Sequence, residues 1–137
     1  MGAWSHEPFA NDTASDWAYV LMDATDLSHI EATLDRALEA SGGYLEAPDA
    51  EEAVAAVAVV AQLLGRSPPI TGGPEGLQAW ITGVGVRPSP ALLDKARRVL
   101  DRVVAEDSEL AELWDDSESA ADWRASVAAL RLAVTPT

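Results

Sequence analysis

The residues of this chain with the best claim to chemistry are carboxylates. Asp12 and Asp16 are four positions apart, so a helix sets both on one face. Glu51 and Glu52 open an apolar stretch, and Glu109 and Glu112 precede Trp114. Helical bundles hold divalent ions with carboxylates projected from facing helices. Asp12, Asp16, Glu52 and Glu109, with Glu51 beside them, are therefore the candidate metal-ligating set, and a divalent ion is the one cofactor the residue types suggest. Against this, no Glu-x-x-His element occurs, and Asp12 is also placed to cap a helix. No catalytic residue stands out. Whether the chain is an enzyme stays open, and the residue types favour a negative answer.

Other chemistries find less. There is no Cys, so thiol nucleophiles, thiolate metal sites and disulfides are excluded. His6 and His29 are the only imidazoles, and no Gly-x-Ser-x-Gly elbow occurs. Thr71-Gly72-Gly73-Pro74-Glu75-Gly76 is glycine-rich but lacks the Gly-Lys-Ser/Thr ending of a phosphate loop. Gly83-Val84-Gly85 lacks a third glycine and a preceding strand, so both segments read as turns.

Charge is more informative. The chain carries a formal −14, unevenly distributed. Met1 to Gln62 holds 12 acids against one base, Arg36, a net of −11; Leu63 to Thr137 holds 11 acids against eight bases, a net of −3. Such a field repels phosphates and anionic lipid, which argues against nucleic-acid and membrane partners. It attracts cations, including a basic protein. Glu31, Asp35 and Glu39 follow one another at i, i+4 and i+8 on one helix face and form the candidate partner-binding row. The bland alternative is that acidity only maintains solubility.

The elements that must position these groups are helical. Ala, Val and Leu supply most of a 48% hydrophobic fraction, with little period-two alternation. A first helix starts at Asn11 or Asp12 and places Trp17, Val20 and Leu21 on an apolar face. Before it, Trp4 and Phe9 flank Pro8 in an arm expected to fold back on the core. A second helix runs from Ser28, in a capping box with Glu31, to Ala40, and Ser41-Gly42-Gly43 ends it. A third runs from Pro48 to Leu64 and stops at Gly65. From Ala53 to Ala61 it is only Ala and Val, so it is apolar all round and expected at the centre. Its most apolar run, Ala53–Leu64, is too short to cross a bilayer. Loops at Arg66–Pro74 and Thr82–Pro88 bracket a short helix from Glu75 to Ile81. A helix after Ser89 turns Leu92, Leu93, Ala96, Val99, Leu100 and Val103 inward. Ser108–Trp114 and Ser117–Val134 complete the set, the last with Trp123, Val127, Leu130 and Val134 on one stripe. The expected fold is all-α, a compact single-domain bundle of five to seven helices spanning 1–137 around an Ala/Val-rich central helix. The amino terminus shows no secretory signal, and a cytoplasmic protein is expected.

One resemblance covers nearly the whole chain. Met1-Gly2-Ala3-Trp4, then Pro8-Phe9, Asn11-Asp12, Ala14 and Asp16-Trp17, form a distinctive opening. Leu45-Glu46-Ala47-Pro48 with the Ala-rich helix, Ser108-Glu109-Leu110-Ala111-Glu112-Leu113-Trp114 and Trp123 continue the likeness. The sequence resembles the bacterial domain-of-unknown-function family 4259. Ser5, Ala10 and Ala58 depart from its pattern, which has Gly, Asp and Glu there. If the Glu belongs to a polar site, Ala58 leaves that site incomplete here. The resemblance implies a bacterial, cytoplasmic, stand-alone protein and assigns no activity.

Three function classes follow. One is a protein-binding module, immunity- or antitoxin-like or regulatory, that meets a basic partner through its acidic amino-terminal half. The second is a divalent-metal-dependent enzyme, which requires the named carboxylates to converge. The third is a structural or stress-associated protein with no discrete site.

Overall fold

The computed structural model describes residues 7–39, 43–66 and 73–135. Among them are seven helices: α1 (Asp12–Leu21), α2 (Ser28–Glu39), α3 (Ala47–Leu63), α4 (Leu77–Gly83), α5 (Pro90–Val103), α6 (Glu109–Asp115) and α7 (Ala120–Ala133). No strand occurs among the described residues, and the only pairing of extended backbone there is an isolated parallel bridge between Leu45 and Ser108. The fold is all-α, as composition and periodicity predict. Among the described residues, no helix is long and apolar enough to cross a membrane. Trp4, His6, the Ser41-Gly42 exit and the loop at 67–72 lie outside the described residues.

The centre of the fold is α3, which packs against each of the other six helices. Its side chains explain this position. Every residue from Ala53 to Ala61 is buried, on all sides of the helix. Small side chains let several neighbours approach one axis closely. Ala58 is part of this apolar core, so its position holds no polar site in this chain. The helix ends where the sequence indicates, with Gly65 at φ 70 in the left-handed region just past the cap.

Around it, α5 follows its predicted pattern: Leu92, Leu93, Ala96, Val99, Leu100 and Val103 are all buried. The stripe of α7 is likewise buried at Trp123, Val127, Leu130 and Val134. Phe9 is buried, so that part of the arm does fold back on the core. A Cβ at Gly73 would come within 3.3 Å of its ring, at a φ of 77 that favours glycine. Two bidentate pairs, Arg131 with Asp101 and Arg124 with Asp115, link α7 to α5 and α6, and Trp114 stacks on Trp123 between α6 and α7.

Local chemistry differs from expectation at the start of α2 and on one face of α1, and at two other helix starts it selects the cap. Asn11, not Asp12, caps α1 by accepting the Ala14 amide at 2.7 Å. Ser28 does not cap through a box with Glu31. Asp26 instead accepts both the Ser28 amide and hydroxyl, at 3.0 and 2.7 Å, and these bonds hold its carboxyl below the usual range. The α3 start has no capping side chain of its own, since Glu46 makes no cap bond. Its cap comes from across the fold: Glu109 accepts the Ala47 amide at 2.7 Å. The extended bridge sets this up, because Leu45 accepts from Glu109 and donates to Asp107. Val20 does not face inward. It is 57% exposed, because Ala14, Trp17, Ala18 and Leu21 form the buried arc of α1 and Val20 lies to one side of it.

Three variants test this packing. Ala55→Leu inserts bulk at a fully buried central position and is expected to destabilise by about 1–3 kcal/mol in denaturant titration. Glu109→Ala is expected to cost about 0.5–2 kcal/mol by removing a helix cap. Glu46→Ala, at the position where a local cap would sit, should change stability by less than about 0.5 kcal/mol.

Candidate functional site

Four helices bring polar groups to the amino-terminal end of α3. From α1, Thr13 lies beside the Glu51 carboxylate. From α6, Glu109 occupies the α3 end as its cap. From α2, Arg36 pairs with Glu52 at 2.8 Å. Burial pushes the Glu51 carboxyl up, with Thr13 opposing and Glu109 adding to the rise. Burial also raises Glu52, against the Arg36 charge. At the edge, Tyr44 donates to Glu112 at 2.7 Å, and that bond lifts the phenol to about 12.

A second polar seam joins α1 to α2. The Trp17 indole donates to Thr33 Oγ1 at 2.7 Å, and that hydroxyl donates to the His29 carbonyl at 2.8 Å. The His29 ring stacks on Trp17 at 5.1 Å, and its Nε2 is buried without a hydrogen-bond partner among the described residues. Nothing in the sequence marks this seam, because sixteen positions separate Trp17 from Thr33.

The metal-ligating candidates occupy separate places. Asp12 and Asp16 do share the outer face of α1, as their spacing predicts, and both are exposed. Glu52 is engaged by Arg36 and Glu109 by the α3 amide. Among the described residues, no group of three or more His, Asp or Glu is placed to hold an ion. The sequence placed these carboxylates on helices correctly, but the tertiary packing gives them different tasks.

The partner-binding candidates also divide. Glu31 and Asp35 both reach Lys95 of α5, at 3.3 and 2.7 Å, so this row is partly neutralised from within. Glu39 is exposed at the end of α2.

An unneutralised acidic surface that also carries exposed apolar side chains lies on α1. Asp12, Asp16, Tyr19 and Val20, with Asp23 in the turn that follows, recur at i, i+4, i+7, i+8 and i+11. Such positions fall within an arc of about 100° on a helix. Tyr19 is 58% and Val20 57% exposed. Asp12, Asp16 and Asp23 are exposed, and none forms an ion pair among the described residues. Tyr19 and Asp23 were not singled out by sequence reasoning, although their spacing was legible. Val20, expected on the apolar face with Trp17 and Leu21, lies on this stripe instead. Two shallow grooves lie elsewhere and contain none of the predicted residues. One of about 420 Å³ runs between the end of α3 and α4, beside Gln62, Gln78 and Arg87; the other, of about 260 Å³, lies under Trp80.

The raised Glu51 carboxyl gives a pH test. A carboxyl raised on folding favours the fold at low pH, and that contribution is lost as pH rises through its folded-state value. Glu51→Gln imitates the neutral form and keeps an acceptor for Thr13. The variant is expected to melt above the wild type at neutral pH, and the difference should close as acidification protonates Glu51 in the wild type. A pH-independent difference between the two melting curves would refute the assignment.

Comparison with known proteins gives one match. No curated protein and no solved structure matches the chain. The family model described as a domain of unknown function, DUF4259, matches residues 2–126 of the 137, and the chain therefore belongs to that family.

Proposed function

We propose that the protein is a binding module that engages a basic protein partner through the outer face of α1. The observation that carries this reading is the exposed stripe of Asp12, Asp16, Tyr19, Val20 and Asp23, in which three unpaired carboxylates flank two large apolar side chains. Interfaces combine such elements: buried apolar and aromatic groups supply most of the affinity, and surrounding charge supplies steering and selectivity. The formal −14 of the whole chain favours cationic partners at long range and opposes phosphate-bearing ones. The α2 row contributes less, because Lys95 already satisfies Glu31 and Asp35. A bacterial, cytoplasmic setting belongs to the same proposal, and the absence of Cys is compatible with it.

Binding to a panel of defined basic protein domains, measured by biolayer interferometry, tests the reading. Wild-type protein is expected to bind at low ionic strength, with association slowing as salt shortens the screening length to about 3 Å at 1 M. The double variant Asp12→Lys with Asp16→Lys should weaken binding about tenfold or more, equivalent to about 1.4 kcal/mol. Glu118→Lys, at an exposed site before α7, serves as the control with little effect. Binding that is insensitive to both salt and the α1 reversal would sink the proposal.

A further inference from the structure

The α1 face has a shape as well as a charge, and the shape narrows the kind of partner. From Asp12 to Val20 the stripe runs about 12 Å along the helix axis, and Asp23 extends it by a further turn. Its positions are those by which one helix packs against another along a shared seam. An extended strand has little to pair with here. The α1 amides and carbonyls are engaged in the helix, and its first turn is closed by the Asn11 cap, so no backbone edge is offered. A second copy of the chain is disfavoured by like charge, since α1 against α1 sets Asp rows near each other within molecules of −14.

Resting on the binding reading above, we infer that the element seated on α1 is a basic amphipathic helix of the partner, antiparallel to α1. Its face carries an apolar pair over Tyr19 and Val20. A Lys or Arg pair one turn apart meets Asp12 and Asp16, and a further base at the opposite end meets Asp23. The antiparallel direction also sets the two helix dipoles favourably. Tyr19 and Val20 distinguish a matching helix from generic positive charge, because only an apolar centre gains from covering them.

Three peptides of about 16 residues, long enough for helix to form on binding, test this. The first presents lysines and leucines in the antiparallel register on one face. The second has the same composition shuffled so that the lysines encircle the helix. The third is the first with a central proline. Affinity is read by calorimetry and location by amide shifts in NMR spectra of the full chain. The patterned peptide is expected to bind at least tenfold tighter than either comparator and to shift amides of residues 12–23. The exposed double variant Tyr19→Ala with Val20→Ala should erase that preference while leaving the weak, salt-sensitive binding common to all three.

Equal affinity for the three peptides would overturn the helix inference and leave the basic-partner reading standing. Failure of all three to bind at low salt would overturn both. A wild-type dimer in analytical ultracentrifugation that Asp16→Lys dissociates would name a second copy as the occupant and overturn the inference as well.

Discussion

The structure depends on one helix that can be approached from every side. Along α3, nine successive residues from Ala53 to Ala61 are buried and none is larger than Val. A helix of long side chains would hold its neighbours farther from the axis and leave gaps between them. Ala and Val instead give a thin, apolar rod against which six helices close. The large side chains come from the outer helices. Trp17, Ile30, Leu34, Leu100 and Trp123 fill the space that α3 leaves. Uniform smallness at the centre and bulk at the periphery are two halves of one packing solution.

That solution creates a difficulty at the amino end of α3. The helix is buried, yet its first amides need partners. Pro48 removes one donor, and Glu46 supplies no cap. The extended segments before α3 and α6 pair at Leu45 and Ser108, which holds Glu109 against the Ala47 amide. The same approach crowds acids. Glu51 and Glu52 are raised chiefly by their own burial, and Thr13 and Arg36 offset part of that cost. The polar groups here are therefore those of a structural joint between α1, α2, α3 and α6.

Charge elsewhere is sorted by whether the fold answers it. Of the bases after Gln62, Arg97, Arg98, Arg124 and Arg131 pair with acids on α5 and α6, and Lys95 reaches back to α2. Pairs this exposed contribute little to stability, but they fix which carboxylates are already occupied. Among the acids that no base of the described residues reaches are those on the outer face of α1, where they flank exposed Tyr19 and Val20. The amino-terminal acidity visible in the composition thus includes a joint, a row partly neutralised by Lys95 and an open stripe on α1.

The helices were legible because their signals are local. Apolar residues at three- and four-residue spacing gave the inward faces of α5 and α7, and the Ala/Val run gave the central place of α3. The opening and closing motifs gave the family. Other features were set by groups distant in sequence. Glu109 caps a helix from 62 positions away, Trp17 meets Thr33 from 16, and Lys95 meets Asp35 across two helices. Spacing along a chain reports which residues share a face, and so it paired Asp12 with Asp16 correctly. It does not report which neighbour covers that face, and so it buried Val20, joined Glu52 and Glu109 to the same set, and left Glu31 and Asp35 unpaired. The sequence by itself determined the helices and the excess of negative charge. Only tertiary packing decided which charges are answered, because an ion pair or a cap needs two elements within a few ångströms, and that meeting is a property of the fold.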